Sequence, residues 1–170
     1  MSRIHVCPLA RIDETVAATG ARWLVTLLNP GTPVIRPAAI PAERHLYIGV
    51  GDIVEPLPDH VLPAETHVAA LLGFVAKWDR AEPLLIHCFA GVSRSTAAAY
   101  IAACALAPER DEAEIARALR EASPTATPNA RLIALADAAL ERGGRMKAAI
   151  AAIGRGAECF AGEPFGLALA

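Results

Sequence analysis

Four short apolar runs alternate along the chain with longer stretches whose apolar positions recur at helical spacing. The runs are Ile4–Cys7, Trp23–Leu28, Leu46–Val50 and Leu84–His87. They are continuous rather than alternating, the pattern of strands buried on both faces of a parallel sheet. Pro83 and a glycine-containing loop bound the last of them. Among the longer stretches, Pro63-Ala-Glu-Thr opens a helix with Val68, Leu71, Leu72, Val75 and Trp78 on one face. Thr96–Leu106 is small and apolar nearly all round, which predicts a buried helix. Glu109–Glu121 sets Ile115 and Leu119 against a charged side. Pro128–Glu141 carries Leu132, Ile133, Leu135, Ala136 and Leu140, and Gly143-Gly144 stops it. Asn29–Pro41 reads as loop. Met146–Ile153 predicts a short helix, followed by an irregular tail with no assigned role. Strands interleaved with helices predict an α/β fold: a central, mostly parallel sheet of four to five strands with helices on both faces. The expected organisation is one domain over residues 1–143, with 144–170 as a helix and tail packed on it.

Composition narrows the functional classes. Of 170 residues, 54 % are apolar and 20 % charged, enough for a real core and too apolar for disorder. The net charge of −2 excludes bulk attraction to nucleic acid or to an anionic membrane, but not a local basic pocket. The four cysteines (Cys7, Cys88, Cys104, Cys159) form no CxxC pair. That excludes a disulfide framework and a zinc ribbon and points to a reducing compartment. The longest apolar run, Ala97–Ala107, falls short of the ~20 residues of a membrane span. Arg3, Arg11, Asp13 and Glu14 interrupt any secretory signal at the N-terminus. The expectation is a cytoplasmic protein with neither nucleic acid nor membrane as partner.

The chemistry concentrates in Pro83-Leu-Leu-Ile-His-Cys-Phe-Ala-Gly-Val-Ser-Arg-Ser-Thr96. An apolar strand ends in His87-Cys88, five residues follow, and then come Arg94, Ser95 and a helix. Ligands of α/β sheets bind at the carboxyl ends of strands, where this loop lies. A short loop of this kind can turn its N–H groups inward as an anion nest, and the helix start adds its positive dipole end. Gly91 permits a backbone conformation that a Cβ would obstruct. Arg94 supplies a planar fork for phosphate oxygens. Such surroundings also favour a thiolate at Cys88.

His87-Cys88-x5-Arg94-Ser95 resembles the HC(x)5R(S/T) signature of the cysteine-dependent protein tyrosine phosphatases, and the form HCxxGxSRS is closest to their dual-specificity branch. The buried helix after the loop and the later Pro128-Asn129 helix start are similar too, so the resemblance spans about residues 1–142. It implies a phosphatase acting on phosphotyrosine, with phosphoserine and phosphothreonine as further candidates, through a phosphocysteine intermediate. Phe89, Ala90, Gly91, Val92, Ser93 and Arg94 would cradle phosphate or sulfate. Ser95 would assist the second step. His87 and Asn129 would support the loop. The partner implied is a phosphorylated protein or a small phosphate ester, with no metal or organic cofactor.

The general acid is chosen among three carboxylates. Asp52 follows a strand directly, where the resemblance puts the acid, and precedes Cys88 by 36 residues; Asp59 precedes it by 29. Asp52 is preferred, Asp59 is the alternative and Glu55 is third. Phe89 offers an aromatic wall to a phenyl ring. No second basic residue lies within the loop, which argues against a polyanionic inositol phosphate. His45, His60 and His67 lack metal-ligand spacing and read as surface. Cys7 and Cys104 are weighed as disulfide partners for an oxidised Cys88, against plain core cysteines. Two alternatives of other classes are a rhodanese or Cdc25-like cysteine enzyme and a catalytically weak phospho-binding module.

Overall fold

The computed structural model describes residues 2–170. Its strands are β1 (Arg3–Pro8), β2 (Trp23–Leu28), β3 (His45–Gly49), β4 (Leu84–Cys88) and β5 (Phe165–Ala168). Its helices are α1 (Ile12–Thr19), α2 (Glu65–Val75), α3 (Arg94–Leu106), α4 (Glu112–Ala122), α5 (Ala130–Ala139) and α6 (Arg145–Ile153). The strands form one sheet in the order β3-β2-β4-β1-β5. The first four run parallel, and β5 lies antiparallel against β1. Both faces are covered, as continuous apolar strands require. Val6, Val25, Leu27, Ile86 and Cys88 face a core shared with α2 to α6. Cys7, Leu24 and Leu85 face the other way, against Ile12 and Val16 of α1 and Ile40 of the long loop.

β4 carries the site. Its register sets Thr26 of β2 and Cys7 of β1 on either side of His87, and Pro8 beside Cys88. Behind the loop that follows, α3 is buried along Arg94–Cys104. Ala97, Ala98, Ala99, Ala102 and Ala103 are all fully buried there. Residues this small let α3 lie close against the sheet, so the loop is pinned between strand end and helix start.

Three elements depart from the sequence expectation. α1 is new: eight residues, of which only Ile12, Thr15 and Val16 are buried, are too few for a helical period to show. The tail is not irregular to its end. Residues 165–168 form β5, a half-exposed edge strand whose pairing partner lies at the opposite end of the sequence. Helix α3 also starts two residues before Thr96, at Arg94 itself. Among the described residues no helix is long and apolar enough to cross a membrane.

Candidate active site

The segment Cys88–Arg94 folds into a loop whose carbonyls are turned outward and engaged by neighbouring elements. His87 Nδ1 lies 3.1 Å from the Cys88 oxygen. The Leu9 N–H donates to Phe89, and the Gly162 N–H donates to Ala90. The Val92 oxygen accepts from the Thr127 N–H and the Thr96 hydroxyl, and that of Ser93 from the Asn129 and Ala97 N–H groups. Carbonyls fixed outward leave the amide N–H groups for the interior, the geometry of an anion nest. Gly91 has φ +70°, and a Cβ there would fall 2.8 Å from the Pro8 nitrogen. The loop therefore presses on the end of β1 at the one residue with no side chain.

At the loop's floor, the Cys88 sulfur lies 3.0 Å from the Ser95 hydroxyl and accepts from the Gly91 N–H at 3.3 Å. Both groups lie within reach of the sulfur, where a thiolate accepts more strongly than a thiol. The guanidinium of Arg94 is buried. Its Nη1 donates to the Asn29 side-chain oxygen at 2.8 Å and to the Val50 carbonyl at 2.9 Å, while Nε has no protein partner. A buried donor without an acceptor is costly and rare, and it marks a place where a ligand oxygen fits.

Asp52 stands at the start of a long loop that closes on itself through the Gly51 N–H and the Val61 carbonyl, 2.8 Å apart. Its Oδ1 accepts from the Ser93 hydroxyl at 2.7 Å and from the Asn129 amide at 3.0 Å. The Asn129 oxygen meanwhile caps α5 through the Leu132 N–H. Asn129 thus ties the Asp52 loop, the Cys88–Arg94 loop and a helix start together. Asp59 and Glu55 are exposed without such ties; Asp59 sits in a turn at φ +62°. Of the three carboxylates, Asp52 is the one hydrogen-bonded to the Cys88–Arg94 loop, through Ser93.

Phe89, the cysteines and His45 each take a definite place. Phe89 is half exposed, and its ring lines an apolar cavity of about 380 Å³ with Leu9 and Phe160. The separate cavity of about 590 Å³ at Asp52 and Ser93 is walled by Ile53, Val54, Pro56, Leu57 and Pro128 instead. All four cysteines are free thiols. Cys7 points to the sheet face opposite Cys88, and Cys104 lies ten residues along α3 from Arg94, roughly 15 Å away. Neither is placed to pair with Cys88. His45 is not a free surface residue: its ring bonds the Thr26 hydroxyl at 2.8 Å. Asn29, Thr26 and Gly162 were not singled out in the sequence, because each reaches the site through sheet register or a returning tail rather than through a motif.

Comparison with known proteins agrees with this geometry. Residues 56–130 match the family model described as protein-tyrosine phosphatase. Among solved structures, the PTP-2 phosphatase of Cydia pomonella superposes with a TM-score of 0.59 at 17 % identity, over 79 % of this chain and 84 % of its own. DUSP15, a dual-specificity phosphatase, superposes with a TM-score of 0.59 at 16 % identity, over 88 % of this chain and 90 % of its own. The sheet and helices are those of the phosphatase fold. No curated protein matches the sequence.

Proposed function

We propose that this chain is a phosphatase of the protein-tyrosine phosphatase kind, whose family model matches residues 56–130, and that it hydrolyses phosphate monoesters by covalent catalysis at Cys88. The observation that carries the reading is Arg94: buried, held by Asn29 and Val50 on one nitrogen, and left with an orphan Nε at the loop that cradles Cys88. The Cys88 thiolate attacks phosphorus in line. An S–P bond forms and the ester P–O bond breaks, while the loop amides and Arg94 hold the three equatorial oxygens. Asp52 donates its proton to the leaving oxygen. Because Oδ1 already accepts two hydrogen bonds, that proton resides on Oδ2. In the second step Asp52 takes a proton from water, the water oxygen attacks phosphorus, and the S–P bond breaks. The Ser95 hydroxyl stabilises the departing thiolate. Inorganic phosphate leaves and the thiolate is restored.

The substrate class is a phosphotyrosyl polypeptide or a small aryl phosphate, with phosphoserine and phosphothreonine admitted if the cleft is shallow enough. The apolar walls at Val54, Pro56, Leu57 and Pro128 suit an aryl ring and its neighbours. A unit extending past residue 143 is part of this proposal, because Gly162 holds a carbonyl of the phosphate loop. The test is hydrolysis of p-nitrophenyl phosphate in the presence of a metal chelator. Turnover is expected from the wild type and none from Cys88→Ser. No turnover by the folded wild type would overturn the enzyme reading in favour of a phospho-binding module.

A further inference from the structure

Behind the phosphate loop a hydrogen-bond chain crosses three strands of the sheet. His45 opens β3 at the sheet edge, Thr26 is buried in β2, and His87 is buried in β4 directly across from Thr26. The Thr26 hydroxyl lies 2.8 Å from Nε2 of His45 and 2.8 Å from Nε2 of His87. Nδ1 of His87 lies 3.1 Å from the carbonyl oxygen of Cys88.

Proton counting fixes the direction of every bond. A carbonyl only accepts, so the proton of His87 is on Nδ1. Burial, with lesser contributions from the charges of His45 and Arg94, pushes the His87 imidazolium down to about 4. At neutral pH its Nε2 is therefore bare and accepts. Thr26 has one hydroxyl proton, and it goes to His87. Nε2–H of His45 must then donate to the Thr26 oxygen. The reverse order would aim a bare Nδ1 at the lone pairs of the Cys88 carbonyl.

We propose that Thr26 and His45 are positioning residues for the nucleophile: their one-way chain locks His87 in the Nδ1–H tautomer and so holds the Cys88–Phe89 peptide from which the phosphate loop starts. The proposal rests on the reading of Cys88 as nucleophile. The chain outlasts titration of its outer end, because Nε2–H of His45 is already committed and a further proton goes to Nδ1. Burial and the nearby Arg36 hold the His45 imidazolium below its usual value. The other groups facing His87 are Arg94 from the start of α3 and Cys7 from β1. Burial pushes the Cys7 thiol up to about 12, so it is uncharged. Nothing around the chain reverses it across the neutral range.

The experiment uses the full chain with 15N-labelled histidine. Its imidazole nitrogen shifts are followed from pH 5 to 8 beside the alkylation rate of Cys88 by iodoacetamide, resolved by peptide mass spectrometry from the exposed Cys159. The wild type and Thr26→Ser are expected to show His87 as the neutral Nδ1–H form throughout. Thr26→Val is expected to show mixed tautomers, and alkylation and kcat both reduced by about three- to tenfold with KM unchanged. An Nε2–H or charged His87 at pH 6 in the wild type would overturn the proposal. So would a Thr26→Val protein with the wild-type tautomer and alkylation rate. If Thr26→Val does not fold, His45→Phe at the sheet edge removes the donor to Thr26; an unchanged His87 spectrum there overturns the proposal equally. The spectra and the alkylation need no turnover. Absent hydrolysis would count against the catalytic reading alone.

Discussion

Replacing Arg94 by lysine keeps the charge and loses the anchor. The guanidinium gives Nη1 to the fold (Asn29, Val50) and leaves Nε without a protein partner, and a lysine ammonium cannot serve both ends. Arg94→Lys is expected to lower kcat/KM by about 10- to 100-fold, read with p-nitrophenyl phosphate. Asp52→Asn is expected to lower kcat by about a hundredfold or more on phosphotyrosine, and far less on an ester whose leaving group needs no proton. Equal losses on both esters would remove Asp52 from the role of acid. His87 contributes at this scale through stability. Its folded-state value of about 4 lies below the usual His value of 6.5, so the unfolded chain binds the extra proton first as pH falls. The native state accordingly loses stability between pH 6.5 and pH 4, by on the order of 3 kcal/mol at most. Urea titrations over that window should show a steeper decline for wild type than for His87→Gln.

Among the elements, α3 owes its position to what its residues lack. Ala98 and Ala102 are fully buried between the helix and its neighbours. Ala98→Leu is expected to cost about 1–3 kcal/mol by overpacking, measured by denaturant unfolding. The four parallel strands and the long helices were legible in the sequence, because apolar runs and helical periods are local patterns. So were Cys88, Arg94, Ser95 and the loop glycine, which sit in consecutive positions whose types serve one chemistry. Asp52 was legible only as a preference. Its position depends on a loop closed by Gly51 and Val61 and on the reach of Asn129 from a distant helix start. Asn29 and Thr26 carried no signal, since a polar residue at or beside a strand end acquires its partner from the register of other strands.

For the molecule as a whole, the decisive contacts are those made by residues 154–168. Arg120 gathers the carbonyls of Ser123, Pro124 and Ala126 with one nitrogen and that of Gly154 with another. The Gly156 N–H donates to the Thr127 hydroxyl, and the Gly162 N–H donates to Ala90. A Cβ at Gly162 would fall 2.9 Å from the Gly91 oxygen. Gly162→Ala is therefore expected to shift the phosphate loop and lower kcat/KM on the order of tenfold to a hundredfold, with an unfolding midpoint close to wild type. Wild-type kinetics in that variant would show the contact to be incidental. Composition and periodicity gave no hint of this strap, which is glycine-punctuated and without a repeat.

The strap also fixes when the site can exist. A chain emerging from the ribosome presents Cys88 and Arg94 long before residue 162 is free to reach Ala90. Until then Cys88 is attached to a loop that lacks one of its outer supports, and the edge of β1 is unpaired. Only the arrival of residues 162–168 seats both. A chain cut before residue 162 thus carries the signature residues without the support that the Gly162 N–H gives the Ala90 carbonyl.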